Sequence, residues 1–229
     1  MIFPLRCRAV LFDLDGTLVD SAPDLWRATN HVLTLRGRPE LPLNLVRDFV
    51  GNGARFLLAR GLWGVAAVPP EGDPDFEAAV TLFLDYYRQH ITDHSFPYPG
   101  VVETLEKLQE RGFALAVVTN KPEYLTHDML ENLNLARFFP VVVGGDTLAE
   151  RKPHPLPMRH AMQRLSVSPE HTVMIGDSEP DALAAKNAGC SLFLVRHGYN
   201  RGQPLEELHP DAILDPFHQL LELLAPLQD

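Results

Sequence analysis

Cysteine is almost absent from the chain: Cys7 and Cys190 are the only two in 229 residues. Two distant thiols build neither a disulfide framework nor a paired metal site, and their scarcity suits a reducing cytoplasm. The ten histidines include no pair at helical ligand spacing, so a zinc site is unsupported. A Lys/Arg block is also missing. With a formal net charge of -10, the chain has no stripe of cations to neutralise successive phosphates, and nucleic acid is not an expected partner. No apolar run approaches the length of a membrane span, and the chain reaches Asp13 and Asp15 without the apolar stretch of a signal peptide. The expectation is a soluble cytoplasmic protein, unexported and not bound to membrane. Internal repeats and low-complexity tracts are lacking too.

What the chain does have is the composition of a folded protein, 45% hydrophobic and 22% charged, with enough length for one large domain or a core carrying a smaller one. Short apolar runs at 9–12, 114–118, 141–143, 173–175 and 192–195 are each followed by turn residues and then a helical pattern. That alternation predicts an α/β fold with a parallel sheet, and the uninterrupted Val, Leu and Ile content suits strands covered on both faces. Val101, Leu105 and Leu108 recur at helical spacing before the stop Arg111-Gly112, and Ala188-Gly189 marks a second stop. From about 21 to 92 the alternation breaks. This stretch reads as helices only, over 25–35, 43–62 and 76–91, with a Pro/Gly/acidic loop at 68–74. The expected organisation is a discontinuous α/β core, 1–20 with 93–229, and a helical domain, 21–92, inserted above the C-terminal end of the first strand. Residues 96–100, Phe-Pro-Tyr-Pro-Gly, read as the linker back to the core.

The first strand pattern ends in Asp13-Leu14-Asp15-Gly16-Thr17. In open α/β sheets ligands gather beyond the C-terminal ends of strands, which puts Asp13 where chemistry is expected. Residues i and i+2 of extended chain point the same way, so Asp13 and Asp15 can address one reacting centre. Gly16 permits close backbone approach, and free amides around Gly16 and Thr17 could bind a phosphate oxygen. Asp-Gly alone would read as a turn. Two acids and a Gly-Thr pair closing a buried-type strand form a more specific pattern.

Three more strand ends carry polar groups. Thr119 and Asn120 close the second run, where they could hold phosphate oxygens or cap the helix that begins at Lys121-Pro122. Lys152, past Gly144-Gly145-Asp146-Thr147, is either a cation for a transferring phosphoryl group or a surface lysine. Gly176-Asp177-Ser178-Glu179-Pro180-Asp181 closes the fourth run. Asp177 could bind a hard cation through oxygen, and Asp181 could support that metal or cap a helix as Ser178-x-x-Asp181.

In order, Asp13-x-Asp15-Gly16-Thr17, Thr119, Lys152 and Gly176-Asp177-Ser178-x-x-Asp181 resemble the four motifs of the haloacid dehalogenase (HAD)-like superfamily, over nearly the whole chain. The second acid, Asp15, is similar to its phosphotransferase branches rather than its dehalogenases. The resemblance implies a Rossmann-like core with a four-helix cap. Residues 12–21, Val50-Gly51-Asn52-Gly53 and Gly144-Gly145-Asp146-Thr147 look like the phosphoglycolate phosphatase family within it. The Gly-x-Ser-Arg element typical of β-phosphoglucomutase is missing from 50–54. By this resemblance Asp13 is the nucleophile, and Asp15 is the acid that protonates the leaving alkoxide and then the base that activates water. Thr119 and Lys152 balance charge. Mg²⁺ is held by Asp13, the Asp15 carbonyl and Asp177, with Asp181 in support. Gly51, Asn52 and Gly53 form either a substrate-contacting loop or a helix-breaking turn, and Arg55 could reach a substrate carboxylate. The expected partner is a small phosphate ester, 2-phosphoglycolate first, with a sugar phosphate or nucleotide as alternatives, met by a monomer or homodimer. A phospho-accepting signalling receiver also combines acids, Thr and Lys at strand ends, but it is about half this length and carries its acceptor on a middle strand.

Overall fold

The computed structural model describes residues 3–227. Strands β1 (Leu5–Cys7), β2 (Ala9–Phe12) and β3 (Val19–Asp20) come first. Helices α1 (Ala22–Leu35), α2 (Leu43–Arg47), α3 (Ala54–Trp63) and α4 (Pro74–Gln89) follow, and then β4 (Phe96–Pro97). Alternation begins with α5 (Val101–Glu110), β5 (Ala114–Val118), α6 (Glu123–Asn132) and β6 (Val141–Val143), and continues through α7 (Leu156–Arg164), β7 (Thr172–Gly176), α8 (Glu179–Ala188) and β8 (Ser191–Val195). The last described elements are β9 (Ala212–Leu214), α9 (Leu220–Leu223) and β10 (Leu224–Pro226), the last paired with β1.

Six strands make one parallel sheet in the order β6-β5-β2-β7-β8-β9. All four side chains of β2 are buried, and their alternation serves both faces. Val10 and Phe12 join an apolar cluster with Leu105 and Leu108 of α5, while Leu11 joins another with Met158 of α7 and Ala185 of α8. Because β2 lies between β5 and β7, the chain leaves its C-terminal end at a switch point, and the ends of these three strands frame one crevice.

The helices α1 to α4 pack on one another, and their apolar residues, Leu33, Leu58 and Phe83 among them, run on into the cluster beneath the sheet. The two passages between helices and sheet lie side by side: Val19 opposes Pro97 and Asp20 opposes Phe96 in the antiparallel β3–β4 pair. Where the pattern over 43–62 predicts one helix, the structure has two. Gly51 and Gly53 adopt φ of 113° and 88°, outside right-handed helix, and Gly53 caps the start of α3. The helix after β5 starts at Glu123 rather than Lys121, and no side chain caps it. Among the described residues no helix is long and apolar enough to cross a membrane.

Gly144 and Gly145 allow the turn after β6 to lie against the loop after β5. A Cβ on Gly144 would stand 2.5 Å from the Glu123 nitrogen, and one on Gly145 would stand 2.8 Å from the Asn120 carbonyl carbon. The Gly145 amide donates to the Lys121 carbonyl at 2.7 Å, which fixes the contact. Gly145→Ala should therefore cost about 1–3 kcal/mol of unfolding free energy in urea, together with catalytic activity, because backbone at 120 must move. Unchanged stability and activity would contradict this close approach.

Candidate active site

Asp13 directly follows β2, and its amide donates to the Ile175 carbonyl of β7 at 2.9 Å. The carboxylate is buried and lies 2.9 Å from Lys152 Nζ. That contact is ionic more than directional, since Asp13 Oδ1 has no well-aligned hydrogen bond. Lys152 Nζ also donates to Asp181 Oδ1 at 2.6 Å. The other Asp181 oxygen accepts from the Ser178 amide at 3.3 Å and hydroxyl at 3.1 Å, and from the Asp177 amide at 3.2 Å. Capping and charge pairing, alternatives in the sequence, are both served by this one side chain.

Asp177 Oδ2 accepts the Tyr199 amide at 2.5 Å. Gly16 must lack a side chain because a Cβ there would collide with the Asp177 carboxylate and the Tyr199 ring. Asp13, Asp177 and Asp181 each offer one oxygen within 4.8 Å of the others, all three side chains buried. Burial is the main cause pushing the Asp13 carboxyl up to about 6; Lys152 pulls it down, while Asp181 and Asp15 push it up. Burial likewise raises Asp177 well above the carboxylate range, with Asp181 and Asp13 adding to it. Desolvation works against the Lys152 ammonium, yet Asp13 and Asp181 outweigh it and raise its pKa. Three carboxylates thus face one ammonium, with oxygen donors only. A hard divalent cation such as Mg²⁺ fits that deficit of positive charge and that donor set.

Asp15 faces the opposite side of the crevice. Its Oδ1 accepts Ser21 Oγ at 2.5 Å and Lys121 Nζ at 3.0 Å. Lys121 Nζ also donates to Tyr87 Oη of α4 at 2.6 Å. Asp13, Asp15, Thr119 and Lys121 line one cavity, roofed by Leu57, Phe83 and Tyr87 from the helices and by the 51–53 loop. Its enclosed volume is about 30 Å³, which suits a ligand of a few heavy atoms.

Other candidates sit differently from the sequence reading. The Gly16 and Thr17 amides are spent on the Val19 and Leu14 carbonyls, and Thr17 is wholly buried. The amides of Leu14 and Asp15 are the ones without an acceptor among the described residues. Thr119 Oγ1 accepts the Lys121 amide at 3.2 Å inside the cavity. Asn120 does not offer its amide to a ligand: Nδ2 donates to the Gly51 carbonyl at 3.0 Å and to the Lys152 carbonyl at 2.9 Å. Gly51 and Gly53 line the cavity, but Asn52 turns away, its Oδ1 accepting from Arg60 and Arg201 at 2.8 Å each. Arg55 pairs with Glu77 at 2.6 Å on the helices and does not reach the cavity. Lys121, Tyr87 and Tyr199 are the additions. Lys121 adjoins Thr119-Asn120 and was within reach of a motif reading; the tyrosines carry no local signal.

Residues 10–195 match the family model described as haloacid dehalogenase-like hydrolase. The phosphoglycolate phosphatase of Vibrio cholerae serotype O1 is 43% identical over 218 residues, covering 95% of this chain and 96% of that protein. A crystal structure described as a predicted phosphoglycolate phosphatase from Haemophilus somnus superposes with a TM-score of 0.87 at 37% identity, covering 94% and 96% of the two chains. CbbY from Rhodobacter sphaeroides, in complex with phosphate, reaches 0.78 at 25% identity over 93% and 96%. The chain belongs to the haloacid dehalogenase-like hydrolase family. Within that family it is a phosphatase, a phosphoglycolate phosphatase-like phosphoric monoester hydrolase.

The pKa displacement of Asp13 has a consequence for stability. Between pH 4 and about 6 the native carboxyl keeps a proton that the unfolded chain has released, so the native state binds more protons and loses stability as pH rises through this window. In chelator, Asp13→Asn should therefore be more stable than wild type at pH 7, on the order of 3 kcal/mol, and the difference should vanish below pH 4. Urea titrations at both pH values decide it, and a gap independent of pH would refute the assignment.

Proposed function

We propose that this chain hydrolyses 2-phosphoglycolate to glycolate and phosphate, with magnesium, through an aspartyl phosphate on Asp13. One observation carries the reading: Asp13 ends the central strand beside Lys152 at one wall of a small closed cavity, and Asp15 stands two residues on, facing the same space. Helices 21–92 act as a cap domain on a core made of 1–20 and 93–229.

An Asp13 oxygen attacks phosphorus as the bond from phosphorus to the ester oxygen breaks, and Asp15 delivers its proton to that oxygen. Water then attacks the aspartyl phosphate, Asp15 takes its proton, and Asp13 is regenerated as phosphate departs. Lys152 and Thr119 answer charge on the phosphoryl oxygens, together with the free amides at 14 and 15. When bound at Asp13, Asp177 and the Asp15 carbonyl, supported by Asp181, Mg²⁺ would offset the repulsion between an anionic nucleophile and an anionic ester. The relatives named phosphoglycolate phosphatase and the small cavity favour a two-carbon leaving group. CbbY has been crystallised with xylulose-1,5-bisphosphate, so a sugar bisphosphate is the second reading; a cavity of about 30 Å³ in this conformation speaks against it.

Asp13→Asn should lower kcat by roughly four orders of magnitude or more. Across a panel of phosphomonoesters, wild-type kcat/KM should be highest for 2-phosphoglycolate, lost in chelator and restored by Mg²⁺. Turnover by the purified Asn variant would sink the nucleophile, and a clear preference for another ester would overturn the substrate.

A further inference from the structure

With phosphorus at Asp13, the rest of the ester points into the cavity under α3 and α4, where charge is scarce. The arginines nearest this roof are occupied elsewhere: Arg55 by Glu77, Arg60 by the Phe49 carbonyl and Asn52, Arg201 by Asn52 and the Val50 carbonyl. Lys121 is the one basic side chain lining the cavity among the described residues. It is 5% exposed, and Tyr87, which it touches, is 1% exposed.

The two groups have donors to spare. Lys121 Nζ spends itself on Asp15 and on Tyr87 Oη, and an ammonium carries three N–H bonds. Tyr87 accepts from Lys121, and no acceptor among the described residues takes its own proton. Burial, with Asp15 and Asp24 nearby, holds the phenol well above its ordinary pKa, so it remains a donor. An unspent N–H and an unspent O–H therefore meet at one buried place, beyond Asp15 as seen from Asp13. A carboxylate supplies two acceptor oxygens and the negative charge this place can take.

We propose that Lys121 and Tyr87 form the subsite for the carboxylate of the leaving group, so that a core loop and a cap helix jointly select small phosphate esters of hydroxy acids. This rests on the proposed phosphatase reading and adds the residues that choose the substrate. Neutral-tailed esters would enter but leave the two donors unanswered, and esters with long tails would not fit beneath Leu57 and Phe83.

The test compares 2-phosphoglycolate with ethyl phosphate, which keeps the two-carbon tail and lacks the carboxylate. Wild type, Lys121→Met and Tyr87→Phe are assayed, with thermal melts to verify folding. Wild type should favour 2-phosphoglycolate, and each variant should lose that preference by roughly 10- to 100-fold, chiefly through KM. Tyr87→Phe keeps the ring and leaves Asp15 with Lys121, so it remains informative if Lys121→Met fails to fold. Equal losses on both esters would overturn the subsite while leaving the wild-type preference, and hence the proposed function, intact. A wild type without that preference would refute the substrate assignment itself, and the subsite with it.

Discussion

Three buried carboxylates share one ammonium at the end of the central strand, and the surrounding structure is organised to hold them there. Ions taken out of water cost several kcal/mol each unless they are paired and hydrogen-bonded. Asp181 meets that cost through Lys152 and the first turn of α8, and Asp177 through the Tyr199 amide. Asp13 is the least satisfied, with a close ion pair but no well-directed hydrogen bond. A carboxylate in that state is poorly solvated and close to cationic charge, the condition in which it can approach an anionic phosphoryl group if a metal ion supplies the rest of the balance.

The same crevice is stitched to the helices above it. Asn120 links the Gly51 carbonyl to the Lys152 carbonyl, so the loop between α2 and α3 and the loop carrying Lys152 are tied to one amide group. Tyr199 reaches from Asp177 to Asp20, donating to its carboxylate at 2.6 Å, and Asp20 pairs with Arg47 of α2 at 3.1 Å. Lys121 meets Tyr87 of α4. Each link crosses between sheet and helices close to the paired passages of β3 and β4, so movement of the helices would be felt by the acids and by Lys152. Exclusion of water from the cavity depends on the same contacts.

Much of the core was legible in the sequence. Strands buried on both faces need uninterrupted apolar runs, and all five runs became strands of the parallel sheet. Their ends carry the polar groups because a strand's last residue is the first that escapes the covering helices. The helical segment was legible by its period, but the interruption at 48–53 was not placed, since its apolar pattern continues across two glycines whose positive φ is a property of the folded turn. The minor strands β1, β3, β4, β9 and β10 are two or three residues long, too short for any period.

Acids, Thr and Lys at successive strand ends, with a helical insert after the first, were determined by the sequence itself, because such patterns depend on neighbours in the chain. Which atoms remain available was decided only by tertiary structure. Asn120 and Asn52 look like ligand contacts in the sequence, yet their side chains are taken up by partners 69 and 149 residues away in numbering. Lys121 and Tyr87 looked ordinary and became the buried pair beside Asp15, 34 positions apart and joined by one hydrogen bond. Hydrogen-bonding capacity is finite and burial makes its use compulsory, so the role of a polar side chain depends on what folds against it.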